Sequence, residues 1–131
     1  MTKTNSNLQA LINTISTLRS DQGCPWDKRQ TPDSILKYLN SETEELITAI
    51  ENNDTENTCE ELGDVLYLLI MIATYYNEKG IFDFSTVIQT VNEKLIRRHP
   101  HVFAGKTYKD EADLDRQWQE IKSIEKQKKL I

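Results

Sequence analysis

Apolar residues recur along this chain at helical spacing. Leu8, Leu11, Ile12, Ile15 and Leu18 follow the i, i+3, i+4, i+7 rule and predict an amphipathic helix ending near Gly23. The stretch DQGCPWDKRQTPDS interrupts that period with a glycine, two prolines and polar side chains, and reads as a structured loop. Thr31 is placed to cap a second helix that starts at Pro32 and runs to about Glu51, with Ile35, Leu39, Leu46 and Ile50 as its buried stripe. A short turn at Asn52, Asn53 and Asp54 leads into a third helix, stopped by glycine at Lys79-Gly80. This helix is apolar over most of its circumference, which predicts a place in the middle of a bundle. A fourth helix follows Phe84-Ser85, with Val87, Ile88, Val91, Leu95 and Ile96 as its inner face and His99-Pro100 as its end. The last, roughly Asp110 to Lys129, has few apolar residues beyond Leu114, Trp118, Ile121 and Ile124 and is expected at the periphery. No segment alternates apolar and polar residues over five or more positions, so the expected fold class is all-α, a bundle of about five helices.

Composition narrows the picture. At 131 residues the chain suits a single domain, residues 1–131, with a core of its own. A net charge of -5 argues against a general nucleic-acid or membrane-surface binder. Cys24 and Cys59 have no C-x-x-C spacing and are expected as unpaired thiols in a reducing compartment. MTKTNSNLQA lacks the regions of a signal peptide, and the apolar run from Val65 to Ala73 is too short to span a membrane, so a cytoplasmic protein is expected. Four short neighbours are too few to cover a third helix apolar nearly all round. A homodimer that completes the core is therefore expected.

The candidate chemistry begins with acids. Glu42 falls within the buried stripe of the second helix and Glu45 at its edge, while Glu61 and Asp64 head an apolar ridge on the third. Each helix thus carries an i, i+3 acid pair beside its core face. If the two helices form an antiparallel hairpin, the pairs meet, and bound cations are needed to offset the repulsion. Neither helix contains histidine, so ligation would be all-oxygen, which favours Mg²⁺ with Mn²⁺ as a substitute and suggests a phosphorylated substrate. Solvated helix acids are the bland alternative. At the end of the fourth helix Lys94, Arg97 and Arg98 gather before His99-Pro100-His101, more cations than a helix cap requires. Trp118 and Lys122 share a face of the last helix, either as packing or as a plate for a base with a lysine on phosphates.

GCPWDKRQT at 23–31, the E-x-x-E and E-L-G-D acids, KLIRRHPHVFA at 94–104 and WQEIK at 118–122 together resemble the MazG family of nucleoside triphosphate pyrophosphohydrolases. The resemblance spans roughly Leu8 to Lys126. It implies an all-α dimer that splits NTPs or dNTPs, damaged ones included, into monophosphate and pyrophosphate. Glu42, Glu45, Glu61 and Asp64 would be Mg²⁺ ligands, Lys94 and Arg98 phosphate contacts assisted by Arg97, and Trp118 and Lys122 the rest of the nucleotide site. No Ser-His-Asp set or activated cysteine is apparent, so metal-activated water is the expected nucleophile, with Glu45 or Glu42 accepting its proton. Where the family typically has E-E-x-x-E, this chain has Ser41 in place of the leading acid. That departure motivates an alternative, a catalytically weakened nucleotide-binding regulatory module.

Overall fold

The structure is a computed structural model that describes residues 2–129. Among these residues seven helices follow in order: α1 (Thr2–Leu18), α2 (Pro25–Arg29), α3 (Pro32–Glu51), α4 (Thr55–Glu78), α5 (Phe84–Arg98), α6 (Pro100–Phe103) and α7 (Glu111–Lys129). Among the described residues there is no strand. The five long helices agree with the expected set. The two short ones, α2 and α6, were not anticipated. Each has proline at its first position, where a missing N–H costs nothing, and each is too short for a periodic apolar pattern to announce it.

Local signals set the ends. Thr31 and Ser34 form a reciprocal capping box: the Thr31 hydroxyl accepts from the Ser34 N–H at 3.3 Å, and the Ser34 hydroxyl accepts from the Thr31 N–H at 2.8 Å. Asp54 caps α4 by accepting from the Asn57 N–H at 3.2 Å. Gly80 takes the positive φ of 71° just past α4, as a helix stop requires. α1 ends at Leu18, and the chain then turns so tightly that a Cβ on Gly23 would lie 2.2 Å from the Thr17 carbonyl oxygen. Only glycine fits that approach.

The chain divides into two compact units, one ending at Phe84 and one beginning at Ser85. In the first, α3 and α1 both pack on α4. Its core joins Ile15 of α1, Ile35 of α3, and Leu68, Ile70 and Met71 of α4, with Leu8, Leu11, Ile12 and Leu39 packed around them. A buried cation ties the loop to this core. Arg19, its side chain 3% exposed, donates to the carbonyl oxygens of Asp27 at 2.7 Å and Gln30 at 3.0 Å, and forms a two-pronged pair with Glu78 at 2.9 Å. In the second unit, Glu125 of α7 pairs with Arg97 and Arg98 of α5. The Gln117 amide of α7 donates to the Thr107 carbonyl at 3.2 Å and so holds the segment before α7.

Two burial expectations need correction. Ile50, expected in the α3 stripe, is 55% exposed, because the inward position of that turn is taken by Ala49, about 100° away round the helix. The expected inner face of α5 is uncovered in the single chain: Val87, Ile88, Val91, Leu95 and Ile96 are all exposed. On α4, by contrast, the exposure of Leu62 and Leu69 agrees with the expectation that neighbours within one chain do not cover that helix. Periodicity identifies an apolar face without saying what lies against it.

Candidate metal centre

The turn between α3 and α4 decides the geometry. It reverses the chain through Asn53, which adopts a positive φ of 55°, and it lies about two helical turns from Glu45 on one side and from Glu61 on the other. The two helices therefore bring their acids to the same level. One carboxylate oxygen from each of Glu42, Glu45 and Glu61 lies within 4.8 Å of the others. Asp64, the fourth expected ligand, is not part of this trio. It stands nearly a turn further along α4, half-buried, and shares a cavity wall with Glu42.

These acids carry the electrostatic signature of an unmet demand. Glu42 Oε2 and Glu61 Oε2 are buried and have no hydrogen-bond partner. Burial pushes the Glu61 carboxyl up to about 7, and the nearness of Glu42 and the charge of Glu45 push it the same way. Glu42 is also raised, first by burial and then by the charges of Glu45 and Asp64, against a lowering contact with Glu61. No lysine or arginine pairs with any member of the trio in the described ion pairs. Orphaned carboxylate oxygens in an all-oxygen set fit a hard divalent cation, with Glu42, Glu45 and Glu61 as the residues able to hold it.

The trio has two unlike flanks. On one side lies an open polar groove of about 460 Å³ whose walls include Ser41, Glu44, Glu45, Asn57 and Glu61. On the other lies a cavity of about 190 Å³ lined by Trp26, Tyr38, Glu42, Asp64, Tyr67 and Leu68. Trp26 and Tyr38 meet edge to face there, with ring centroids 5.3 Å apart. The Tyr67 hydroxyl donates to Asp27, and burial together with that carboxylate holds the phenol well above its ordinary range.

In the second unit Lys94 and Arg97 are exposed and Arg98 is half-buried. Arg98 Nη2 and Nε reach Glu125 Oε1 at 2.9 and 3.1 Å, and Arg97 Nε reaches Oε2 of the same carboxylate. The two arginines hold Glu125 down at about 2. The Lys122 ammonium sits 4.6 Å from the centroid of the Trp118 ring, so these residues share a face as their spacing implies. Sequence reasoning missed Glu125, Tyr38, Tyr67 and the Asp27–Arg19 tether. Trp26 and Asp27 were noticed only as part of GCPWDKRQT, with no chemistry attached. Glu125 gave no signal, because its partners lie on another helix.

Residues 30–103 match the family model described as the MazG nucleotide pyrophosphohydrolase domain. The chain is 45% identical over 124 residues to the nucleoside triphosphate pyrophosphohydrolase/pyrophosphatase MazG of Thermotoga maritima, which covers 92% of this chain and 46% of that protein. It is 36% identical over 125 residues to the nucleoside triphosphate pyrophosphohydrolase of Escherichia coli K12, covering 95% of this chain and 48% of that one. This chain thus spans less than half the length of these curated relatives. The crystal structure of a mazG-related protein from Thermotoga maritima superposes with a TM-score of 0.72 at 32% identity, over 88% of this chain and 98% of that one.

Proposed function

This chain belongs to the MazG nucleotide pyrophosphohydrolase domain family, and from that premise we propose that it hydrolyses nucleoside triphosphates to the monophosphate and pyrophosphate with Mg²⁺. The observation that carries the reading is the pair of buried, unpartnered carboxylate oxygens on Glu42 and Glu61 beside Glu45. Such a site is costly unless something positive enters it. A bound divalent ion supplies neutralisation of phosphate charge and acidification of water.

The rest falls to the protein's own groups. Glu42, Glu45 and Glu61 would hold the ion, and Asp64, beside Glu42, would add its charge to the site. Glu45, exposed at the rim of the trio, accepts the proton of the attacking water, with Glu42 as its neighbour in that role. A new P–O bond forms to the water oxygen, the bond to the α–β bridging oxygen breaks, and pyrophosphate leaves. Lys94, Arg97, Arg98, Trp118 and Lys122 are the proposed nucleotide-binding groups of the second unit. Arg97 and Arg98 can bind an anion only by giving up part of their hold on Glu125. The partner proposed for the exposed apolar residues of α5, with Leu62 and Leu69 of α4, is a second copy of this chain. Sedimentation at micromolar concentration tests that, with a monomer overturning it.

Pyrophosphate release from a panel of NTPs and dNTPs with Mg²⁺ tests the activity. Saturable release that EDTA abolishes is expected. Ser41, exposed on the wall of the polar groove, favours a second reading, a nucleotide-binding module with weakened turnover. Saturable binding without release would support that one.

A further inference from the structure

The small cavity beside the acid trio has an occupant that its walls describe. Hydrolysis to a monophosphate and pyrophosphate breaks the bond between the α- and β-phosphates, so the scissile bond lies one phosphate away from the sugar. Whatever holds that bond therefore has the nucleoside close by. Two spaces adjoin the trio in the first unit. The groove of about 460 Å³ is walled by Ser41, Glu44, Asn57 and other polar side chains, and offers no ring or large apolar surface. The cavity of about 190 Å³ is walled by three aromatic rings and Leu68, with Asp64 and the trio's Glu42 on its acid side.

The geometry points to this cavity as the site for the nucleobase. Its volume is below the range of pockets that enclose a whole drug-sized ligand, and suits a single flat ring system whose sugar and phosphates stay outside on the acid side. Trp26 and Tyr38 stand edge to face at 79°, so they form a corner rather than two parallel plates, and a base stacked on one ring has its edge against the other. Tyr67 completes the wall as a ring only. Its hydroxyl is committed to Asp27, and the backbone of Asp27 is gripped by buried Arg19. The corner is thereby held in place from the loop side by Asp27 and from the helix side by α4. Trp118 is a weaker candidate for the base, since the Lys122 ammonium already stands over its ring. The inference rests on the hydrolase reading for its orientation, though its binding test does not.

Of the two tryptophans, Trp118→Phe leaves Trp26 as the only one, whose emission can be excited apart from that of the tyrosines. Titrating that protein with AMP, CMP, GMP and UMP should give saturable quenching, whereas ribose 5-phosphate, which lacks a base, should give none. In pyrophosphate-release kinetics Trp26→Ala should raise KM about tenfold or more, the scale of one base–aromatic stack, with kcat held within about twofold. Trp26→Phe should restore KM. If circular dichroism shows Trp26→Ala unfolded, Tyr38→Leu removes the other wall of the corner and should act alike. Quenching that fails with every monophosphate, or an unchanged KM in the folded variants, overturns the proposal. So does a base dependence of KM erased by Trp118→Ala alone. Quenching without any pyrophosphate release removes the hydrolase reading and keeps the base site. Release with no quenching and an unchanged KM does the reverse.

Discussion

Glu61 and Glu125 are the same side chain in opposite surroundings. Glu61 sits among like charges, partly buried, and its carboxyl is driven up to about 7. Glu125 sits between two guanidinium groups and is drawn down to about 2. The first region is acidic and unsatisfied, with two buried oxygens lacking partners. The second is cationic, yet its charge is already met from within the chain. The difference separates two kinds of binding surface. On the proposed reading the trio receives a cation from outside, whereas the arginines exchange Glu125 for a phosphate. Affinity at the trio should therefore depend on which metal is supplied, and affinity at the arginines on competition with Glu125.

The strongest way to break the comparison is to remove a charge from the acidic side. Asp64→Asn keeps the shape, takes away an anion whose field reaches Glu42, and should lower kcat by about a hundredfold or more. Metal-free melting should stay level or rise, because repulsion is relieved. A collapse of metal-free stability would instead make Asp64 a structural acid. Arg19→Met tests a charge that is satisfied on all sides. It strands two carbonyl oxygens and Glu78, and should cost about 2–3 kcal/mol in urea unfolding, below the range for a fully buried pair because Glu78 is 41% exposed. A loss under about 1 kcal/mol would show that water replaces the guanidinium readily.

Two opposite pH slopes sharpen the same contrast. Glu61 has a folded value near 7 against 4.5 when unfolded, so between these the native state holds the extra proton. Metal-free stability should fall as pH rises through that window, and Glu61→Gln should flatten the fall. Glu125 has a folded value near 2, so its contribution is present above 4.5 and is lost as pH falls towards 2. Glu125→Gln should remove that acid limb. Melting temperatures recorded from pH 3 to 8 read both, and parallel slopes in the two variants would refute the assignment. The smallest effect is expected from Ser41→Glu. Ser41 lies on the Glu45 side of the trio, where a further acid would crowd existing ones, so kcat should stay level or drop slightly. A severalfold gain would favour the weakened-enzyme reading.

How much of this could be read from residues alone follows from what periodicity encodes. The long helices, the Thr31 cap and the Gly80 stop were legible because each rests on neighbours close in sequence. Glu42, Glu45 and Glu61 were legible as a meeting point because a short turn leaves two helices little choice but to run back along each other. Asp64 was grouped with them by spacing, and in the structure it lines the adjoining cavity together with Glu42. The cover over α5 was not legible, since an apolar stripe is the same whether a neighbouring helix or a second chain meets it. Nor was the corner of Trp26 and Tyr38. It depends on where a loop without periodicity comes to rest, and that is decided by Arg19 and by the close approach at Gly23.

The short turn between α3 and α4 also has a bearing on time. Contacts within a hairpin of adjacent helices close shorter loops than those that dock α1 on α4, and such local contacts are expected to form earlier. The acid trio lies wholly within that hairpin, so its repulsion is met at the start of folding. A divalent cation present during refolding should then speed the folding limb of the chevron, where an ion recruited only to the finished protein would merely slow the unfolding limb.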